Sequence, residues 1–135
     1  MFILILFCAI MFNIDIKYIY IMFRKVKNMR VAVIGSRNLE IEDIGKYTPP
    51  KTTEIVSGGA RGIDTVAKNY AIKNNIKLVE FKPDYRRYGK GAPLKRNLQI
   101  IAYADIVIAI WDGKSKGTKY VIDNCEKNKL KVIIV

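Results

Sequence analysis

Short apolar runs alternate along the chain with longer segments whose apolar residues recur at helical spacing. Arg30-Val-Ala-Val-Ile34 is nearly continuous in apolar residues and predicts a strand buried on both faces, ending in Gly35-Ser36-Arg37. Leu39 to Tyr47 predicts a short helical or irregular piece, stopped by Pro49-Pro50. Thr53 to Val56 predicts the second strand. Ile63, Val66, Ala67, Tyr70 and Ala71 then repeat at i, i+3, i+4, i+7 and i+8, a helix running to about Asn75. Ile76 to Phe81 predicts a third strand, and Lys82 to Pro93 a long loop. Leu94 to Ala104 predicts a helix with Leu94, Leu98 and Ile101 on one face. Asp105 to Trp111 predicts a fourth strand, Asp112 to Gly117 a loop, Thr118 to Asn128 a helix, and Lys131 to Val135 a last strand. No internal repeat or low-complexity segment interrupts the alternation.

Strands that alternate with helices imply an α/β fold: a doubly wound parallel sheet of about five strands in a single domain. Ligands of such sheets bind outside the carboxyl ends of the strands, where the strand order reverses. Three polar loops follow predicted carboxyl ends: Gly35-Ser36-Arg37, Ser57 to Gly62, and Asp112 to Thr118. Each contains glycine and a basic residue.

The domain is expected to span residues 29–135. Residues 1–28 differ from it: Met1 to Phe12 is almost wholly apolar, Asn13, Asp15 and Lys17 interrupt, and Tyr18 to Phe23 is apolar again. The first apolar run is too short to span a bilayer, and a longer span would bury Asp15 and Lys17. A signal peptide would place positive charge before the apolar run, and none is there. The stretch reads as an extension upstream of Met29, from a start codon set too early. The alternative is a membrane anchor with Arg24, Lys25 and Lys27 on the cytoplasmic side.

Charge narrows the class of partner. The chain carries 24 Lys and Arg against 12 Asp and Glu, a net charge of +12. Residues 1–28 hold four basic residues and one acidic, so most of the excess belongs to the domain. Such a balance suits a nucleotide, a nucleic acid or a membrane surface, the last being the least favoured here. A homo-oligomer is compatible with the sequence. There is no histidine, which excludes Ser-His-Asp and Cys-His catalysis and the common His-containing zinc sites; no metal site is expected. Cys8 and Cys125 form no CxxC, and Cys125 lies four residues after Val121 in a helical pattern, as a core residue would. A reducing cytoplasm is the expected setting.

The second loop is the most informative. In Ser57-Gly58-Gly59-Ala60-Arg61-Gly62-Ile63-Asp64 the glycines lie where a strand turns into a helix. Glycine permits positive φ and lets a ligand approach the main chain. The first helical N–H groups have no intrahelical partner, and the dipole is positive there, so the turn suits an anion such as phosphate. A tight turn needing small residues only for packing is the plainer alternative. Around this loop, Ser36, Ser115 and Thr118 offer hydroxyls, and Arg37 and Arg61 can clamp an anion bidentately. Gly113 and Gly117 permit close backbone approach, and Arg96-Asn97 offers a further arm. Neither GxxxxGK[ST] nor GxGxxG is present, which speaks against a magnesium-dependent phosphotransferase. Asp64 and Asp112 are the general-base candidates, Asp64 with an alternative role in helix stabilisation and Asp112 within reach of a ribose hydroxyl; Asp123 reads as surface. The Lys82–Pro93 segment interleaves Lys82, Arg86, Arg87 and Lys90 with Tyr85 and Tyr88, charge and rings of the kind single-stranded nucleic acid recruits.

Four pieces occur in order: Val33-Ile-Gly-Ser-Arg37; Ser57-Gly-Gly-Ala-Arg-Gly-Ile-Asp64; Arg96-Asn97 with Ile100-Ile101-Ala102; and Asp105 to Trp111 followed by Ser115-Lys-Gly-Thr118. Together they resemble the SLOG superfamily, the Rossmann-like group named for the Smf/DprA and LOG proteins, and within it the YspA/YpsA-like branch. The resemblance covers about Met29 to Val135 and implies a Rossmann-like fold that binds nucleotides or nucleotide-derived ligands across these loops. Ser57 to Asp64 is similar to the matching motif of DprA proteins, which bind single-stranded DNA, although their flanking domains are lacking. LOG-type enzymes hydrolyse the N-glycosidic bond of a nucleoside monophosphate and place a glutamate just after Gly-Thr. Here Lys119-Tyr120-Val121-Ile122 follows Gly117-Thr118, with no carboxylate before Asp123. The leading expectation is a sensor or binding protein for a nucleotide derivative, with a nucleotide-processing hydrolase second and a DNA-binding module third.

Overall fold

The computed structural model describes residues 28–135, together with Ile3 and Met11. The expectations for residues 1–27 otherwise lie outside the described residues. Among the described residues, no helix is long and apolar enough to cross a membrane.

Five strands form one wholly parallel sheet: β1 (Arg30–Gly35), β2 (Glu54–Ser57), β3 (Lys77–Glu80), β4 (Ile106–Ile110) and β5 (Lys131–Ile134). Their spatial order is β3-β2-β1-β4-β5, which reverses direction on either side of β1. The three central strands are buried nearly throughout, as their continuous apolar runs require, while β3 and β5 at the edges are short and partly exposed.

Helices cover both faces. α1 (Ile63–Lys73) packs Ile63, Ala67 and Ala71 against Val31, Val33, Ile55 and Ile108. α3 (Ala92–Tyr103) and α4 (Lys116–Lys127) close the other face, where Ile100, Val121 and Cys125 meet Ala32, Val56 and Val107. Cys125 is fully buried, and burial pushes its thiol up to about 11. The β1–β2 connection carries only a single 3-10 turn, Gly45–Tyr47, pinned by the fully buried Ile44 and by Asp43 Oδ1, which accepts the Gly45 N–H at 2.7 Å.

Three expectations need correction. The Lys82–Pro93 loop contains a four-residue helical turn, α2 (Tyr85–Tyr88), and a 3-10 turn at Gly89–Gly91, after which α3 begins at Ala92. Asp84 caps α2 by accepting the Arg87 N–H at 3.1 Å, and Pro93 sits in the first turn of α3, where its missing N–H costs nothing. Leu94 and Leu98 do not face the core: they are exposed, and the inward positions are Ala92, Arg96, Ile100 and Ile101. α4 also starts two residues early, because Ser115 is its cap.

The amino ends of the strands form a charged foot. Arg30 pairs with Asp105 at 3.2 Å, and its guanidinium lies 4.7 Å from the centre of the Tyr103 ring. The buried Glu54 accepts the Tyr103 hydroxyl and meets Lys77 at 3.3 Å. The Tyr103 hydrogen bond, ahead of Lys77, holds the Glu54 carboxyl below its usual range despite burial. A depressed carboxyl contributes stability above its unfolded value, about 4.3, and loses it as pH falls through the folded value. Tyr103→Phe is therefore expected to melt lower than the unaltered chain at pH 7, with the gap narrowing below roughly pH 4. Thermal melts across that range check it; a gap independent of pH would contradict the assignment.

Candidate functional site

Three loops leave the carboxyl ends of adjacent strands and meet at the reversal point. The first, after β1, is fixed by its own backbone: the Ser36 N–H donates to Ile110 O at 3.0 Å, and Ser36 is 2% exposed. Its hydroxyl accepts the Asp112 N–H at 3.3 Å, tying the first loop to the third. Arg37 is exposed at the rim.

The second loop, after β2, folds back on itself. The fully buried Ser57 accepts the Gly59 N–H on Oγ at 3.2 Å. Asp64, in the first turn of α1, accepts the Ala60 N–H on Oδ2 at 2.9 Å. Arg96 reaches across from α3 and donates from Nη1 to Gly58 O, while its Nε donates to Asn97 Oδ1 at 2.9 Å. Gly62 precedes α1 with φ of 76°, and a Cβ there would stand 2.8 Å from Arg37 O, so only glycine lets the two loops touch. Burial raises the Asp64 carboxyl above its ordinary value, opposed by the Ala60 N–H and by Arg96. Burial likewise lowers Arg96.

The third loop, after β4, is a turn built on Asp112. Its Oδ1 accepts the N–H groups of Ser115 at 2.7 Å and Lys114 at 2.9 Å, and these bonds hold the carboxyl below its usual range. Trp111 donates from Nε1 to Ser115 O at 3.1 Å. Ser115 caps α4 by accepting the Thr118 N–H at 3.4 Å, and the two hydroxyls lie 3.2 Å apart.

Between the loops lies a cleft of about 640 Å³. The first loop lines it with Gly35, Ser36, Arg37 and Asn38, the second with Gly58, Ala60, Arg61 and Asp64. Asp112, Lys114, Ser115, Gly117 and Thr118 line it from the third, and α3 adds Pro93, Arg96, Asn97 and Ile100. Four cationic side chains (Arg37, Arg61, Arg96, Lys114) thus face two carboxylates, with hydroxyls at the base and an apolar wall of Ile34, Ile100 and Val121. Of the residues expected at the site, Ser57, Gly59, Gly62 and Gly113 stand outside the cleft. Ser57 is beneath the loop, Gly62 is packed on Arg37, and Gly59 borders a notch of about 270 Å³ shared with Arg37, Ala60 and Arg61. Asn38, Lys114 and Pro93 were not singled out by sequence, although Asn38 continues the Gly-Ser-Arg turn and Lys114 sits among the glycines of the third loop.

The basic and aromatic side chains of 82–90 do not line the cleft, although Lys82 adjoins Gly59 at the notch: a Cβ on Gly59 would lie 3.5 Å from Lys82 Cγ. Tyr85, Arg86, Arg87 and Lys90 are exposed, and Arg87 and Lys95 lie 5.3 and 5.6 Å from the centre of the Tyr88 ring. Among the described residues, no three His, Cys, Asp or Glu side chains gather in an arrangement that holds a metal.

Comparisons with known proteins agree with this fold. Residues 29–88 match the model of the family described as YAcAr: YspA, cpYpsA-related SLOG family. The chain is 32% identical over 93 residues to the Gene 61 protein of Mycobacterium phage D29, covering 64% of this chain and 74% of that protein. Its fold is similar to that of DNA processing protein A (DprA) from Streptococcus pneumoniae, with a TM-score of 0.64 at 21% identity, over 81% of this chain. The chain spans half the length of that DprA chain. From the family match and the five-stranded Rossmann-like sheet, the chain belongs to the YspA- and cpYpsA-related SLOG family.

Proposed function

We propose that the cleft binds a nucleotide or nucleotide derivative, and that the protein is a sensor or binding protein in a cytoplasmic setting. The observation that carries the reading is the convergence of three glycine-bearing loops on one basic cleft at the reversal of strand order. Phosphate oxygens would meet Arg37, Arg61 and the hydroxyls of Ser115 and Thr118, with the open amides at the start of α1 behind them. Ile100, Pro93 and Val121 offer an apolar wall for a base or sugar. The volume is within the range of small-molecule sites, roughly 300–1,000 Å³. Trp111 is the single tryptophan and bonds to the third loop, so its fluorescence should change on titration with AMP or ADP. A flat titration with both, with folding confirmed, would count against the reading.

A hydrolase is less well supported. N-glycosidic cleavage needs a carboxylate free to act at the bond or on the attacking water. Asp112 already accepts two amides and Asp64 one, and both serve turn geometry. Nucleoside monophosphates incubated with the protein are expected to release no free base. Turnover that disappears in Asp64→Asn or Asp112→Asn, with binding kept, would reverse this assignment. The exposed Tyr85, Arg86 and Arg87 favour single-stranded nucleic acid as a second reading, tested below.

A further inference from the structure

We infer that Asp64 and Arg96 are positioning residues, an acceptor and a donor on different helices that hold the Ser57–Gly62 loop in its anion-ready shape from the wall of the cleft. The inference rests on the nucleotide-binding reading above and assigns neither side chain to the ligand. Arg96 is 8% exposed, although arginine is among the residues least often buried. Its guanidinium is used within the protein: Nη1 reaches Gly58 O and, at 3.5 Å, Phe81 O, and Nε reaches Asn97 Oδ1. It therefore joins the loop after β2 to the loop after β3. Asp64 accepts the Ala60 N–H of the same loop. Both groups crowd the face of Gly58 where a side chain would stand: a Cβ there would lie 2.7 Å from Arg96 Cζ and 3.0 Å from Asp64 Oδ2.

The clamp decides which loop amides are free for an anion. The Gly59 N–H is engaged by Ser57 and the Ala60 N–H by Asp64, so the anion is left with the Arg61 side chain and the amides that open α1. Burial works against the charged form of both clamp residues, a cost opposed at Asp64 by the Ala60 N–H and at Arg96 by the Asp64 carboxylate. An acceptor at Asp64 fixes the loop's path, and a planar donor at Arg96 gives the buried Gly58 carbonyl its partner.

The test uses the full chain with Asp64→Asn, Asp64→Leu and Arg96→Lys, reading three quantities: melting temperature, hydrogen exchange at the Ala60 amide without ligand, and affinity for ADP. Asp64→Leu removes the acceptor and should speed Ala60 exchange and weaken ADP, each about tenfold. Asp64→Asn keeps an acceptor oxygen and should restore most of both. Arg96→Lys keeps the charge but replaces the fork by one point donor, and should weaken ADP roughly fivefold or more. If Asp64→Asn binds as poorly as Asp64→Leu, Asp64 acts through its charge and the inference is overturned. Unprotected Ala60 in the unaltered chain, or full ADP affinity in Arg96→Lys, would overturn it equally. Exchange is read without ligand, so failure of ADP to bind any form would count against the nucleotide reading while Ala60 protection still judges the clamp.

Discussion

Gly35→Ala is expected to lower stability by about 3 kcal/mol and the melting temperature by roughly 10–20 °C. Gly35 ends β1 opposite Ile110, where α1 crosses the sheet. A Cβ there would stand 2.5 Å from Ile63 Cγ1, 2.8 Å from Ile63 Cβ and 2.9 Å from Ile110 O. Ile63 is 1% exposed and cannot swing away, and the carbonyl belongs to a central strand. The extra methyl must therefore push α1 off the sheet, and the second loop moves with it. Gly117→Ala is the control. Its Cβ would meet nothing within 4 Å, and alanine is the better residue inside a helix, so stability should hold or rise by about 0.5–1 kcal/mol. Thermal melts of the two variants check the pair; equal melting temperatures would contradict the packing argument.

Arg61→Ala is expected to leave the melting temperature unchanged and to weaken nucleotide binding by about 1.5–3 kcal/mol, roughly ten- to a hundredfold. Arg61 is exposed, so its removal leaves no buried partner stranded. It borders both the cleft and the adjoining notch, one residue before the positive-φ Gly62 that turns the chain into α1. A guanidinium at that place adds a charge-assisted, bidentate contact to the amides of the helix start. Titration of ADP against Trp111 fluorescence measures the loss. Arg86→Ala with Arg87→Ala, on α2 and outside the lining of the cleft, should leave this affinity within about twofold.

The sheet and the position of the cleft were legible in the sequence, for a physical reason. A parallel strand buried on both faces must be apolar along its length, and a loop that turns positive-φ backbone against a neighbouring loop must use glycine. Arg30–Gly35, Ile106–Ile110 and Gly62 obey those rules, so their places follow from residue type. The side of α3 that faces inward did not follow. A pattern that counts apolar positions chooses Leu94 and Leu98 and skips Arg96, yet the buried Gly58 O needs a donor that no leucine supplies. Asp84 caps α2 and Pro93 stands in the first turn of α3, yet the sequence reads as loop there, because four residues of Tyr and Arg carry too little periodicity to read as helix. The bond from the Asp112 N–H to the Ser36 hydroxyl joins residues 76 apart in sequence, and no local spacing announces it. Ser115 was singled out for its hydroxyl, whereas its structural role is to cap α4.

Salt dependence tests the central claim most directly, because a cleft and a track place their positive charge differently. Each phosphate neutralised on a single strand contributes about −0.7 to the slope of log K against log[salt], so four basic residues of the 82–90 segment would give roughly −3. Affinity for ADP and for a short oligothymidylate should be measured from about 50 to 300 mM salt, with the unaltered chain, Arg61→Ala and the Arg86→Ala, Arg87→Ala double variant. The account predicts ADP binding with a slope shallower than about −3, lost in Arg61→Ala and kept in the double variant. Oligonucleotide binding with a slope near −3, abolished by the double variant and indifferent to Arg61→Ala, with no ADP binding, would contradict it.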